Sequence, residues 1–301
     1  MVANSTKLLF PLVSAPILGQ AMDNVRVLRL DLVGGSAPGN KVFKLRGSLE
    51  QARREGVCRI VSFGGAWSNH LHALAALGAE LGLETVGIVR GGERETAMIE
   101  DIRCLGMKVV PVSREEYRRR NDSDYLQNLQ RQYAPCLVVN EGGANPQGVR
   151  GSMEIADLIN KLGHDWARVV LPVGTGTTLA GLAAGLDCAD ELVGVSALKG
   201  ASDLDQRIAA ALANSGLSPR LPWTIVHDYH CGGFARANAL LRTFITEFER
   251  VQSLKLEPVY TGKMLFAIHS LLASGQWRRD EPVLAIHTGG LQGRRGYPWL
   301  S

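Results

Sequence analysis

The chain has 301 residues, 46% hydrophobic and 21% charged, with a formal net charge of +4 spread along its length. It is globular by composition, with apolar material for one large domain or two moderate ones. The one basic cluster, residues 118–120, stands among Glu115, Glu116 and Asp122, which argues against a nucleic-acid surface, and five scattered cysteines without a CxxC pair point to reduced thiols rather than disulfides or a metal site.

The opening stretch MVANSTKLLFPLVSAPILGQ is apolar but broken by Pro11 and Pro16, and no run reaches the ~18 residues a membrane helix needs. A cytoplasmic protein is expected. Next comes GNKVFKLRGSL, which sets Lys41 and Lys44 one helical turn apart at the mouth of a helix with no acid beside them. From there short apolar runs alternate with longer amphipathic ones, the pattern of a parallel sheet covered by helices. CRIVSFGG reads as strand and turn, HLHALAALGAELG as helix, ETVGIVRG as strand, TAMIEDIRCLG as helix and KVVPVS as strand. Residues 114–133 read as a charged, irregular segment. PCLVVNEGGANPQG then gives a strand running into a glycine-rich loop. A second series follows: ARVVLPVGTGTT as strand and loop, LAGLAAGL as helix, ELVGVSAL as strand, and PVLAIHTGG as the last strand and loop. The expected fold class is α/β, a two-domain open parallel-sheet architecture. A smaller inserted α/β domain at residues 46–148 interrupts a larger one made of residues 1–45 and 149–301, and the site lies in the cleft between them.

Four glycine-rich loops, FGGAWSNH, NEGGAN, PVGTGTT and HTGG, each follow a predicted strand. Loops at the carboxyl ends of parallel strands are where ligands sit, so the four imply one shared site. PVGTGTT is the most specific. Gly174 and Gly176 admit close backbone approach, Thr175, Thr177 and Thr178 offer hydroxyls, and the following helix directs free N–H groups at an anion. It lacks the lysine of a Walker loop and the spacing of a dinucleotide fingerprint. A phosphate cradle and an unpaired lysine in one chain suit a phosphate-bearing aldehyde cofactor that forms a Schiff base with an amine, and pyridoxal 5'-phosphate meets both requirements.

The motifs PGNKVFKL, FGGAWSNH, VGTGTTLAGL, EPVYTGKM and HTGG, in this order over residues 38–290, resemble those of the tryptophan-synthase-β-like (fold type II) pyridoxal-phosphate enzymes. Within them the chain resembles the group containing D-cysteine desulfhydrase and 1-aminocyclopropane-1-carboxylate (ACC) deaminase. The resemblance implies that Lys41 is the Schiff-base lysine and that Lys44 balances charge near the cofactor phosphate. It places Asn69 at the cofactor ring and Ser68 in proton handling or in gripping the substrate carboxylate. It sets His70, Phe234, Tyr260 and Thr288 on the substrate side, with Tyr260 as acid, base or hydrogen-bond donor to a leaving group, while His72 reads as structural. Thr261, where the deaminase pattern calls for a glutamate at the pyridine nitrogen, and Thr288, where it calls for leucine, favour the desulfhydrase side. Phe234 stands where a second tyrosine is expected, with Tyr229 nearby as a substitute. The implied activity is α,β-elimination from a small amino acid, D-cysteine or a related β-substituted D-alanine, by a homodimer without a metal. ACC ring opening, a non-catalytic cofactor carrier and a nucleotide-binding protein remain as alternatives.

Overall fold

Short runs of β-branched and aromatic residues, buried on both faces, alternate with amphipathic helices through residues 8–91 and 95–300, the residues that the structure, a computed structural model, describes. The first seven residues of the apolar opening stretch fall outside that range. A four-stranded parallel sheet is formed by β3 (Arg59–Gly65), β4 (Glu84–Arg90), β5 (Lys108–Val112) and β6 (Leu137–Val139) in the order β5-β4-β3-β6. A six-stranded sheet holds β1 (Leu9–Pro11), β2 (Val25–Arg29), β7 (Trp166–Val173), β8 (Ala189–Ser196), β9 (Trp223–Val226) and β10 (Val283–His287) in the order β1-β2-β10-β7-β8-β9. Only β1 runs antiparallel. The last strand lies between β2 and β7, Ala285 facing Val27 on one side and Val170 on the other, so both parts of the chain share this sheet.

Because side chains alternate across a strand, neighbouring residues feed two cores. Val169, Leu171, Leu284 and Ile286 pack with α6 (Pro146–Asn160), α7 (Thr177–Gly185) and α8 (Leu204–Asn214). Val170, Val193 and Ala285 pack with α9 (Ala239–Gln252) and α10 (Thr261–Ala273). The smaller sheet is covered likewise, by α1 (Asn40–Arg54), α2 (Asn69–Leu81) and α3 (Ala97–Cys104) on one face.

Its other face corrects the reading of residues 114–133. They are helical: α4 (Arg114–Arg118) starts on a Ser113 cap that accepts from the Glu116 N–H, and α5 (Ser123–Gln132) starts on Asp122. Tyr117, Tyr125 and Leu129 pack on Val61 and Phe63, and most of the charges that made the segment look irregular are exposed. The domain limits expected at 45/46 and 148/149 fall inside α1 and α6, which pack against each other, with α6 packed also against α7. Among the described residues no helix is long and apolar enough to cross a membrane.

Candidate active site

The carboxyl ends of β3, β4, β6, β7 and β10 open on one cavity of about 1030 Å³. Of the residues singled out from sequence, Lys41, Lys44, Ser68, Asn69, His70, Gly174 to Thr178, Phe234, Tyr260 and Thr288 line it.

Gly39 and Asn40 bring the first of these into place. Gly39, at φ +112°, pairs with Gly289, and a Cβ there would stand 2.4 Å from the Thr288 carbonyl oxygen. Asn40 then donates its N–H to Thr288 O at 3.1 Å and its amide to Thr178 Oγ1 at 3.1 Å, and its own amide oxygen accepts from Lys41 Nζ at 2.8 Å. One asparagine thus ties the start of α1 to the HTGG loop and to the head of α7. Lys41 opens on the cavity yet lies deep enough that burial lowers its pKa to about 8, with Glu257 opposing the shift. Lys44 is buried, and burial, reinforced by the Lys41 ammonium, drives its pKa well below the ordinary lysine value.

Opposite them Gly176, at φ +86°, turns the chain from β7 into α7. A Cβ there would meet Ile208 at 2.7 Å, so the turn admits no larger residue without movement. Lys44 Nζ reaches Thr175 Oγ1 at 3.4 Å, and Thr175 Oγ1 lies 2.9 Å from Thr177 Oγ1.

At the head of α2, Ser68 Oγ accepts from the Leu71 N–H at 3.2 Å, and the Ser68 N–H is spent on Gly65 O. A ligand carboxylate at this turn therefore meets the Ser68 hydroxyl and the next N–H groups rather than the Ser68 amide. Asn69 Oδ1 accepts from Gln292 at 3.1 Å. His70 is buried beneath. Ser62 donates its one hydroxyl proton to Val139 O at 2.7 Å, so His70 Nε2, 2.8 Å from Ser62 Oγ, must carry its own proton, leaving Nδ1 as a bare acceptor without a partner among the described residues. Burial, then Lys44 and Lys41, holds the ring neutral. His72 turns away and meets Asp101 at 3.5 Å.

Tyr260 stacks edge-on to Phe234 at 6.1 Å, with its hydroxyl 3.2 Å from where a Cβ on Gly174 would be. Burial and then Glu257 raise its pKa, so the phenol is a proton donor at neutral pH. Two expectations are corrected here. Thr261 does not line the cavity: it is fully buried in the first turn of α10, its hydroxyl bonded with Glu257. Tyr229 packs edge-on against Phe266 at 6.0 Å and is also absent from the wall, so it does not replace the tyrosine missing at Phe234.

Glu257 is the most deeply buried of the charged cavity residues that sequence reading missed. It is buried, lines the cavity, and accepts the N–H groups of Val259 at 2.8 Å, Tyr260 at 2.8 Å and Thr261 at 2.6 Å. Burial raises its pKa while these donors work against the shift. An acid just ahead of a helix start, in EPVYTGK, was its signal. Tyr297, whose hydroxyl donates to Ala235 O at 3.0 Å, reaches the wall from the chain end without any motif to mark it.

The donor set fits pyridoxal phosphate. A buried lysine whose one hydrogen-bond contact among the described residues is a long one to a threonine, beside the unpaired first-turn N–H groups of a helix, lacks an anion that a phosphate would supply. A second amine of lowered pKa stands one turn away. The chain matches the model of the family described as pyridoxal-phosphate dependent enzyme over residues 10–289. The chain belongs to that family. Its architecture is fold type II. It is 31% identical to a Thermotoga maritima protein named "Putative 1-aminocyclopropane-1-carboxylate deaminase", over 90% of this chain and 89% of that one. It is 30% identical to D-cysteine desulfhydrase of Serratia proteamaculans, over 88% and 86%. A crystal structure of an ACC deaminase homologue superposes with a TM-score of 0.78 at 25% identity, covering 93% of this chain and 87% of that chain.

Proposed function

We propose that this pyridoxal-phosphate enzyme is a lyase acting by α,β-elimination on a small amino acid, with D-cysteine, giving pyruvate, sulfide and ammonia, as the lead substrate. Bound in the cavity, pyridoxal phosphate supplies an electron sink for the bond broken at the substrate α-carbon. Lys41 Nζ would carry the cofactor and, with a pKa of about 8, take and return protons near neutral pH. Lys44 and the first-turn N–H groups of α7 would hold the phosphate. The Ser68 hydroxyl and the N–H groups of Asn69 and His70 would hold the α-carboxylate, and the Tyr260 phenol would face the leaving group as a proton donor.

The observation that carries elimination over ring opening is the neutral Thr288 hydroxyl at the end of β10, on the cavity wall. With Thr261 withdrawn from the cavity, Thr288 is the residue proposed to meet the pyridine nitrogen, and a neutral partner leaves the ring a moderate sink suited to good leaving groups. ACC ring opening is the second reading, favoured by the Glu257 carboxylate on the same wall, although three backbone N–H groups already engage it. In the main reading the protein works in the cytoplasm as a homodimer, with its five cysteines free.

The test compares pyruvate release from D-cysteine, β-chloro-D-alanine and their L-enantiomers with 2-oxobutyrate release from ACC. The reading expects pyruvate from the D-compounds. Efficient turnover of ACC would establish the second reading instead, and a strong preference for the L-compounds would overturn the stereochemistry.

A further inference from the structure

The cavity, about 1030 Å³, has to take the cofactor as well as the substrate, and among the described residues its charge is unbalanced. Among the described residues five cations line it, Lys41, Lys44, Arg90, Arg120 and Arg207, against two carboxylates, Glu141 and Glu257. The proposed cofactor site uses both lysines. Arg120 is held by Glu141 at 2.6 Å, and Arg207 by Asp203 at 2.6 Å. Arg90 remains: among the described residues it has no ion pair or side-chain hydrogen bond.

Its position is fixed by the fold. Arg90 is the last residue of β4, in register with Gly65 of β3, and its Nη2 lies 3.9 Å from where a Cβ on Gly65 would be. The guanidinium therefore sits one strand over from the turn that carries Ser68 and Asn69. It rests 5.3 Å from the Tyr117 ring centroid, with Arg120 at 5.0 Å from the same ring. The Tyr117 hydroxyl donates to Glu141 at 2.6 Å, so the ring is anchored. A planar cation supported on a fixed aromatic ring and lacking a carboxylate partner among the described residues is prepared to bind an anion bidentately.

We propose that Arg90 is a specificity-determining residue that receives a second anionic group at the far end of the substrate's β-substituent. Resting on the lyase reading above, the preferred substrates are then β-substituted D-alanines ending in a carboxylate, sulfonate or phosphate, and D-cysteine is a truncated member of the class. The chemistry is unchanged. The α-proton leaves, the bond from Cβ to the heteroatom breaks with its electron pair on the leaving group, and water converts the remaining enamine to pyruvate and ammonium, with no oxidant or reductant. If Arg90 met the α-carboxylate instead, it would weigh equally on every substrate.

The test uses the cofactor-loaded protein with S-carboxymethyl-D-cysteine and its neutral isostere S-carbamoylmethyl-D-cysteine, with D-cysteate and O-phospho-D-serine ranking the anions. In the wild type kcat/KM should favour the carboxylate over the amide by at least about tenfold, through KM. Arg90→Met should bring that ratio close to one, and Arg90→Lys should recover part of it. Calorimetry with D-2-aminoadipate, which has no leaving group, and with its side-chain amide should show the same loss in binding. No charge preference in the wild type, a ratio unaltered in Arg90→Met, or an equal loss for both partners of the pair would overturn the assignment. Charge-dependent binding of D-2-aminoadipate that needs Arg90, with no pyruvate from any compound, would sustain Arg90 and sink the lyase reading alone.

Discussion

Two lysines one turn apart carry different burdens in this site, and their surroundings separate them. Lys41 opens on the cavity with a pKa lowered to about 8 from the usual 10.5, whereas Lys44, more deeply buried on the same wall, reaches the Thr175 hydroxyl. Lys41→Ala is expected to abolish the visible absorption of the bound cofactor while the far-UV circular dichroism stays unchanged. Lys44→Met should keep that absorption but weaken cofactor affinity by about tenfold or more, because the contact proposed between Lys44 and the phosphate is lost. An amine links to an aldehyde only when deprotonated. Lowering its pKa therefore shifts reactivity down in pH: stopped-flow capture of the cofactor by apoprotein should quicken up to about pH 8 and level off above it. A rate still climbing at pH 10 would mean that an unperturbed lysine is the one reacting. Residues inside contiguous motifs, such as Lys41, Ser68 and Thr178, are legible in sequence because local chain geometry alone brings them to the site. Thr261 misled because adjacency to Tyr260 does not reveal which of two consecutive side chains a helix start turns inward. Arg90 and Tyr297 reach the cavity through pairing and chain-end packing, which leave no local signature.

Among the elements, the junction of α1 with α7 and the HTGG loop holds the site together. Gly39→Ala would force a side chain into a left-handed backbone against the Thr288 carbonyl, a strain of order 1–3 kcal/mol. Its midpoint of thermal unfolding should fall clearly below that of the wild type. Thr178→Asp places a negative charge at the head of α7, where the cofactor phosphate is proposed to sit, and should cost most of the cofactor affinity, with the apoprotein's unfolding midpoint measured alongside to account for the altered Asn40 contact. Unchanged binding in that variant would mean the phosphate lies elsewhere. The strands and the α2 and α7 helices are readable from periodicity and from capping residues such as Ser68. Helices α4 and α5 carry the same information in Ser113, Asp122 and the tyrosine stripe. Their high charge hides it, because a short helix covering one face of a sheet needs only a narrow apolar stripe.

At the scale of the whole molecule, the two sheets aim the ends of five strands at one cavity, so cofactor binding draws on elements far apart in sequence. The α/β class and the shared site were evident from the spacing of glycine loops after strands. A larger domain built from both chain ends was expected, but the pairing of β10 with β2 and β7 was not, since pairing partners 258 and 115 residues apart leave no mark in local pattern. A ligand that binds only the folded state adds RT ln(1 + [L]/Kd), about 4 kcal/mol at a thousandfold excess over Kd. Saturating pyridoxal phosphate should accordingly raise the unfolding midpoint of the apoprotein, and raise it less in Lys44→Met. The claim on which all of this rests is that Lys41 in this cavity holds the cofactor. Borohydride reduction of the cofactor-loaded protein followed by peptide mass mapping tests it directly: the account predicts the phosphopyridoxyl mass on Lys41 alone, and the label on Lys44 or spread over other lysines would contradict it.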